Sequence, residues 1–441
     1  MDIIIYLGAL FIFLLPYFNR NIHFVDILIL FFLYFDVMMY FIQHKPTFNY
    51  FENMMMLLFA TIYLVQIRKI KINYFAIVFV YILIILLFPF IQGDNINQSI
   101  RIFSIHFSSL IVLPIAFHHY STRGKIDRLF NSIFWFIVIW CLFVLVATPF
   151  KLGGEGSERV GGTFFYFGMM GNRGGLTYIS FMLLTVPLII KYLTPIKKYI
   201  LFALVLLILI IFAAVLKRFV FFVLAFGLFN YLIKSSLKLG YKLQLLAIFV
   251  IFAALLVTNR NLQNLFEERY VQRGGEREFS EEAITTDLRI YEPYYVFQEI
   301  RQRNPLNILI GSKQRAVMDI QHNEVMFEER EIHNEYATIA LKSGIIGLII
   351  YLSIFITLYL KTSRIRKKLN RFNIRTIDLW IVFQNILLLF VIEGMVGGHI
   401  HVTFRGSVFL LTGAISGVFY RLLILNKRLL KEKASDDQEN G

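Results

Sequence analysis

The side chains most able to do chemistry in this 441-residue sequence are cations and imidazoles at the ends of apolar runs. They are Arg101, Arg159, Arg173, Lys217, Arg218, Arg289, His333, Lys342, His399, His401 and Arg405. A guanidinium is always charged and matches phosphate through two parallel hydrogen bonds, so converging arginines suit an anionic group such as a diphosphate. Arg218 lies between two apolar runs, where an ionisable residue costs about 2.5 to 3.5 kcal/mol at a helix centre and is a functional candidate by default. A histidine titrates near neutrality, which makes His333 a candidate general base. His333 opens the second of two His-Asn-Glu triplets, at 322–324 and 333–335. Their spacing is close to three helical turns, so a helical segment would turn both copies the same way. Around Arg159, Asn172 and Arg173 the sequence is rich in glycine, GGEGSERVGG and then GMMGNRGG, which permits close backbone approach to a phosphate or sugar. His399 and His401 fit a solvated turn as readily as a binding role. The acids at 276–278 and 328–331 read as a solvated face, and no Walker A, dinucleotide fingerprint or zinc spacing occurs. No cofactor and no metal is expected.

Hydrophobic helices must position these residues. Apolar residues make up 58% of the chain and charged residues 17%, against roughly 45 to 50% and about 25% in soluble domains. This excludes an ordinary water-soluble globule. The apolar residues form long runs, matching the ~20 residues a helix needs to cross a bilayer. The predicted class is an all-α polytopic membrane bundle of about 12 to 14 transmembrane helices with one long extracytoplasmic loop bearing short helices. Thirteen spans are predicted, at about 3–18, 24–42, 51–67, 74–91, 100–117, 129–148, 174–193, 199–216, 219–233, 243–257, 336–360, 377–393 and 407–425. Residues 1–257 hold helices 1 to 10 and the outer glycine-rich segment 151–173; 258–334 form the large loop; 335–426 hold helices 11 to 13; and 427–441 form a cytoplasmic tail, frayed from Asp436. The first run lacks a basic leader and a small-residue cleavage site and reads as a span.

A net charge of +15 would point to nucleic acid in a soluble protein. Here it divides by loop parity: 25 of the 44 Lys and Arg fall in alternate connections, including 361–375 and the tail. Excess Lys and Arg mark cytoplasmic loops, so the N-terminus is expected outside and the C-terminus inside. No nucleic-acid partner is expected. The long outer loop is mixed, with ten basic residues and fourteen acids. Thr286 and Asp287 can cap a short helix in it, carrying Leu288, Tyr291 and Tyr295 and interrupted by Pro293. The single cysteine, Cys141, lies in a span, so no disulfide within the chain braces that loop.

Four pieces now occur in order: Arg159-Val160-Gly161-Gly162-Thr163-Phe164 with Gly171-Asn172; Lys217-Arg218; Arg289-Ile290-Tyr291 before Asn304-Pro305-Leu306 and Gly311; and His333-Asn334-Glu335-Tyr336 with Ser343-Gly344-Ile345-Ile346-Gly347. Together they resemble the bacterial O-antigen ligase and polymerase superfamily, from about Arg159 to Leu360. The resemblance implies a GT-C-like, metal-independent glycosyltransferase of the cytoplasmic membrane. Its site would face the periplasm or cell exterior, and its donor would be an undecaprenyl-diphosphate-linked glycan. The implied partners are that donor, a glycan acceptor, the lipid bilayer and a chain-length regulator. The implied catalytic residues are His333, Arg218 and Arg289, with Arg159 matching a further family arginine. Asn172, Arg173, Asn334, Tyr336, Arg101 and Arg405 join Arg159 as expected substrate contacts. Lys217 stands where the family often has Ser, and Gly311-Ser312-Lys313 replaces a Gly-x-Gly. The reading put first is polymerisation of lipid-linked repeat units; ligation of finished glycan to lipid A-core is the alternative with the same donor chemistry, and a transporter or flippase is the alternative from another class.

Overall fold

A computed structural model describes residues 2–19, 23–41, 46–66, 72–91, 96–147, 149–150, 175–215, 218–235, 238–240, 242–244, 246–247, 250, 296, 298, 300–301, 304–311, 317–319, 329–331, 334–370, 376–396 and 402–439. In chain order the helices are α1 (Asp2–Phe18), α2 (Phe24–Phe41), α3 (Pro46–Gln66), α4 (Ile72–Ile91), α5 (Ile96–Leu110), α6 (Val112–Thr122), α7 (Ile126–Ala147), α8 (Gly175–Leu183), α9 (Val186–Ile189), α10 (Pro195–Val215), α11 (Arg218–Lys234), α12 (Pro305–Ile310), α13 (Glu335–Asn370), α14 (Ile377–Val396) and α15 (Val402–Glu439). The described residues also include an antiparallel pair of three-residue strands, β1 (Val317–Asp319) and β2 (Glu329–Glu331), with Met318 opposite Arg330.

Five of these helices are long and apolar enough to cross a membrane: Ile126–Ala147, Pro195–Phe212, Glu335–Asn370, Ile377–Met395 and Thr403–Leu430. Large apolar side chains such as Ile3, Leu7, Phe11, Leu142, Leu145 and Ile349 face outward, while Phe31, Phe32, Phe35, Phe48 and Trp140 are buried within. Apolar surface on both faces is what a helix needs when protein lies on one side and lipid on the other.

The expected spans locate the helices well but miss their breaks and overruns. The fifth span is two helices, α5 and α6, broken at Ile111. Pro114 has no N–H to donate to Leu110, so the hydrogen-bond ladder is interrupted one turn upstream. Pro187 does the same between α8 and α9. The basic run 361–375 reads as a connection, but α13 continues into it as far as Asn370. Thr362, Ile365 and Leu369 recur on one face and stay buried, and that stripe extends the helix past the last apolar turn. The tail is likewise helical as far as Glu439, since Leu, Lys, Glu and Ala are all strong helix formers.

Small residues let helices close. On α15 Gly413 and Gly417 lie one turn apart, and a Cβ would stand 2.6 Å from the Leu113 carbonyl oxygen at the first and 2.5 Å from the Phe117 carbonyl oxygen at the second. The backbones of α15 and α6 therefore meet directly, as small-residue stripes permit in membranes.

Candidate functional site at the start of α13 and α15

Asn334 precedes α13 and caps it, its Oδ1 accepting from Ala337 N–H at 2.9 Å while Nδ2 donates to the Met395 carbonyl at 2.8 Å. Two orphan groups at helix ends are satisfied by one side chain. One residue on, Glu335 is 1% exposed and pairs with Arg405 of α15. Arg405 is itself 1% exposed, and its second terminal nitrogen donates to His106 Nδ1 on α5 at 2.8 Å. A guanidinium has only donors, so His106 Nδ1 must accept and the ring proton sits on Nε2. Tyr81 of α4 stacks obliquely on Tyr351 of α13, with ring centroids 5.2 Å apart, beside this chain of charges. The Tyr351 hydroxyl and Arg405 Nε are buried and have no hydrogen-bond partner among the described residues. Tyr336, next in sequence, donates its hydroxyl to the Val391 carbonyl of α14. Three successive residues thus tie the start of α13 to α14 and α15, and Arg405 carries the link on to α5.

The first turns of α15 are polar on both sides. Thr403 reaches Asp36 of α2 at 3.5 Å, and Ser407, one turn later, bonds to the Tyr178 hydroxyl of α8. Arg405 lies between them and points the other way, to Glu335 and His106.

A joint underlies the start of α13. Asn304 caps α12, accepting from Leu306 N–H at 3.0 Å, and Pro305 opens it, where a missing N–H costs nothing. Gly311 ends it at φ +84, and a Cβ there would lie 2.5 Å from the Lys342 carbonyl. Gly344 stands inside α13 at φ +66, and a Cβ there would lie 2.1 Å from the Leu309 carbonyl oxygen. Both positions need glycine for conformation as well as space. The separately noted pieces Asn304-Pro305-Leu306, Gly311 and Ser343-Gly344 are one packed unit. Val296 and Ile300 join it, buried against Ala337, Ala340 and Leu341.

No family model and no curated protein matches this chain.

The expected site residues divide three ways. Arg405, Asn334 and Tyr336 are at this site, but their polar groups bond to protein: Arg405 to Glu335 and His106, Asn334 and Tyr336 to backbone. Arg101 lies on α5, five residues before His106, and Arg218 is the first residue of α11. Arg159, Asn172, Arg173, Arg289 and His333 lie outside the described residues, as do His322, His399 and His401. The common helical phase expected for the two His-Asn-Glu triplets does not hold. Strand β2 stands between them, and two residues per repeat replaces 3.6. Among the described residues no three His, Cys, Asp or Glu come together as metal ligands.

Glu335 and His106 are the residues that sequence reasoning passed over. His106 was visible as an imidazole inside an otherwise apolar run. Glu335 was visible only as the third member of a triplet, read for its histidine.

A second polar cluster joins the start of α2, the end of α6 and the start of α7. Asp26 of α2 accepts from the Tyr120 hydroxyl at 2.8 Å and meets His119 Nε2 at 3.1 Å, with Arg128 at 3.9 Å. His23, just before α2, stacks on His119 with centroids 4.2 Å apart. Burial, then the His119 ring, pushes the His23 imidazole down to about 4, against the pull of Asp26.

Proposed function

We propose that the chain is an integral-membrane glycosyltransferase that moves glycan from an undecaprenyl-diphosphate carrier to a hydroxyl acceptor, polymerising repeat units of O-antigen or a related surface polysaccharide. It lies in the bacterial cytoplasmic membrane with thirteen spans, N-terminus outside and C-terminus inside, and it works at the outer face. The observation carrying this reading is the His333-Asn334-Glu335 segment. The residue after its histidine caps α13, and the next is held by a buried arginine. A segment anchored this firmly suits a group whose position must be held to a fraction of an ångström.

In the reaction the bond from the anomeric carbon to the diphosphate oxygen breaks as the acceptor oxygen bonds to that carbon from the opposite side, with inversion. His333 takes the acceptor's proton, a role worth about 10² to 10⁴ in rate. Arg218 and Arg289 stabilise the charge growing on the departing diphosphate, each by roughly 3 to 4 kcal/mol. Arg159, Asn172 and Arg173 in the glycine-rich segment, and Arg101 on α5, contact sugar or phosphate. Arg405 acts through Glu335 on the start of α13 and makes no substrate contact.

The test is transfer by His333→Ala and Arg218→Ala proteins on lipid-linked repeat units. Losses of about 10²-fold or more are expected at normal expression, and full transfer by either variant removes the role given to it. Glycan electrophoresis after complementation separates the two transferase readings. Loss of the ladder with a single repeat remaining means polymerase, and lipid-linked polymer that never reaches lipid A-core means ligase. Transport is the reading favoured by acids inside helices, such as Asp36 and Glu52. Normal glycan transfer in the test tube by a null strain's membranes would select it.

A further inference from the structure

Residues 361–375 hold seven cations and no acid, and the first acid after them, Asp378, is paired with Lys191. No carboxylate of its own segment balances this charge. Two basic side chains at this end are bound by protein: Lys361 donates to the Tyr74 carbonyl at 2.7 Å and Arg421 of α15 to the Gly124 carbonyl at 3.1 Å. Arg366 of α13 differs. Its guanidinium lies over the ring of Trp380 of α14, 5.1 Å from the centroid, and it has neither a hydrogen bond nor an ion pair among the described residues. Its Nε is buried and unpartnered there. A fork of donors held on an aromatic face and left unbonded suits the paired oxygens of a phosphate.

Arg366 belongs to a stripe. Ile356, Tyr359, Ser363, Arg366 and Asn370 recur at spacings of three and four and so share one face of α13. The Tyr359 hydroxyl accepts from Gln384 Nε2 of α14 at 3.2 Å, and its ring centroid lies 5.5 Å from that of Trp380, so this face follows the seam between α13 and α14. One turn farther from the basic end the seam is apolar and open, with Ile356 59% and Leu388 of α14 46% exposed. Apolar side chains, then a tyrosine–glutamine pair, then a cation on a tryptophan follow the chemistry of a phospholipid from acyl chain to headgroup. The rise from Ile356 to Arg366 is about 15 Å, half of a hydrocarbon core roughly 30 Å thick. The seam therefore matches one leaflet.

We infer that the α13–α14 seam binds one anionic glycerophospholipid, its phosphate against Arg366 with Ser363 and Asn370 beside it, and its acyl chains along Ile356 and Leu388. The unbalanced charge of 361–375 favours an anionic headgroup over a zwitterionic one. On the orientation proposed above, the leaflet is the cytoplasmic one. The site does not rest on glycosyl transfer and is read out without it.

The test is native mass spectrometry of the full-length protein in mild detergent, titrated with phosphatidylglycerol or with phosphatidylcholine of the same acyl chains. One phosphatidylglycerol is expected to be retained in preference. Arg366→Gln should weaken that retention by about tenfold, whereas Lys368→Gln, the same charge change off the stripe, should leave it unchanged. Arg366→Lys keeps the charge without the fork and should fall between wild type and Arg366→Gln, which guards against a Gln variant that fails to fold. Equal retention of the two lipids, or full retention by Arg366→Gln, overturns the site. An equal loss in Lys368→Gln also overturns it, since diffuse charge would then be the cause. Displacement of the lipid by millimolar inorganic phosphate would make the ligand a free anion and overturn the lipid assignment.

Discussion

Arg405 is held in the bundle by what it is bonded to. Its guanidinium and the Glu335 carboxylate are both within 2% of complete burial, and each is the other's counter-charge. Breaking such a pair from one side leaves a bare charge, which costs about 3 to 5 kcal/mol, whereas replacing both partners with apolar residues is often neutral. Arg405→Ala is therefore expected to lower stability by about 3 to 5 kcal/mol, and the double replacement Arg405→Met with Glu335→Leu by clearly less. Unfolding in detergent, followed by circular dichroism, measures both. Equal losses in the single and double variants would mean that the pair is not the source. The sequence marked Arg405 as unusual for its charge at a span end, and that was sound. It did not show the partner, because Glu335 is 70 residues away and His106 299 residues away. An arginine poised for substrate and one locked to a carboxylate are written with the same letter.

At the scale of elements, glycines decide how closely helices approach. A Cβ at Gly417 meets the Phe117 carbonyl oxygen at 2.5 Å and one at Gly344 meets the Leu309 carbonyl oxygen at 2.1 Å, both backbone atoms with little freedom to yield. Gly417→Leu is expected to wedge α15 from α6 and Gly344→Ala to separate α12 from α13, with losses of about 1 to 3 kcal/mol or more from overpacking. Gly344 adds a positive φ that alanine adopts only with strain. Detergent thermal unfolding reads the losses, and Gly240, with nothing within 4 Å, serves as the tolerant control. The short connection between α1 and α2 makes stability depend on pH. His23 ordinarily titrates at 6.5 but does so at about 4 in the fold, so between those values the unfolded chain holds a proton that the folded one does not. Stability is then complete above 6.5 and declines as pH falls toward 4, by at most about 1.4 kcal/mol per pH unit. Midpoint temperatures across that range should fall less steeply in His23→Gln. An equal slope in the variant would remove His23 as the cause.

For the whole molecule, the proposed orientation is testable by cysteine accessibility. Cys141 is buried and can be replaced first. Single cysteines introduced at 94 and 398 are expected to react with an impermeant thiol reagent added outside intact cells, and one at 373 only after the membrane is opened. The reverse pattern would invert the topology and move His333 to the cytoplasmic side. Sequence by itself determined the helical membrane class and the position of nearly every long helix among the described residues, because a bilayer demands long apolar runs and satisfied backbone groups wherever a chain crosses it; the expected span 243–257 and the short helix from Thr286 lie largely or wholly outside those residues. Those demands are local and are written in consecutive residues. It also marked Asn304-Pro305, Gly311 and Gly344 as special, since turn chemistry and φ preference are local too. Only the tertiary structure decided that these residues form one joint and that Arg405 faces Glu335 and His106. Such pairings depend on which faces of distant helices meet, and the energy of a buried charge is set by the neighbour it finds there.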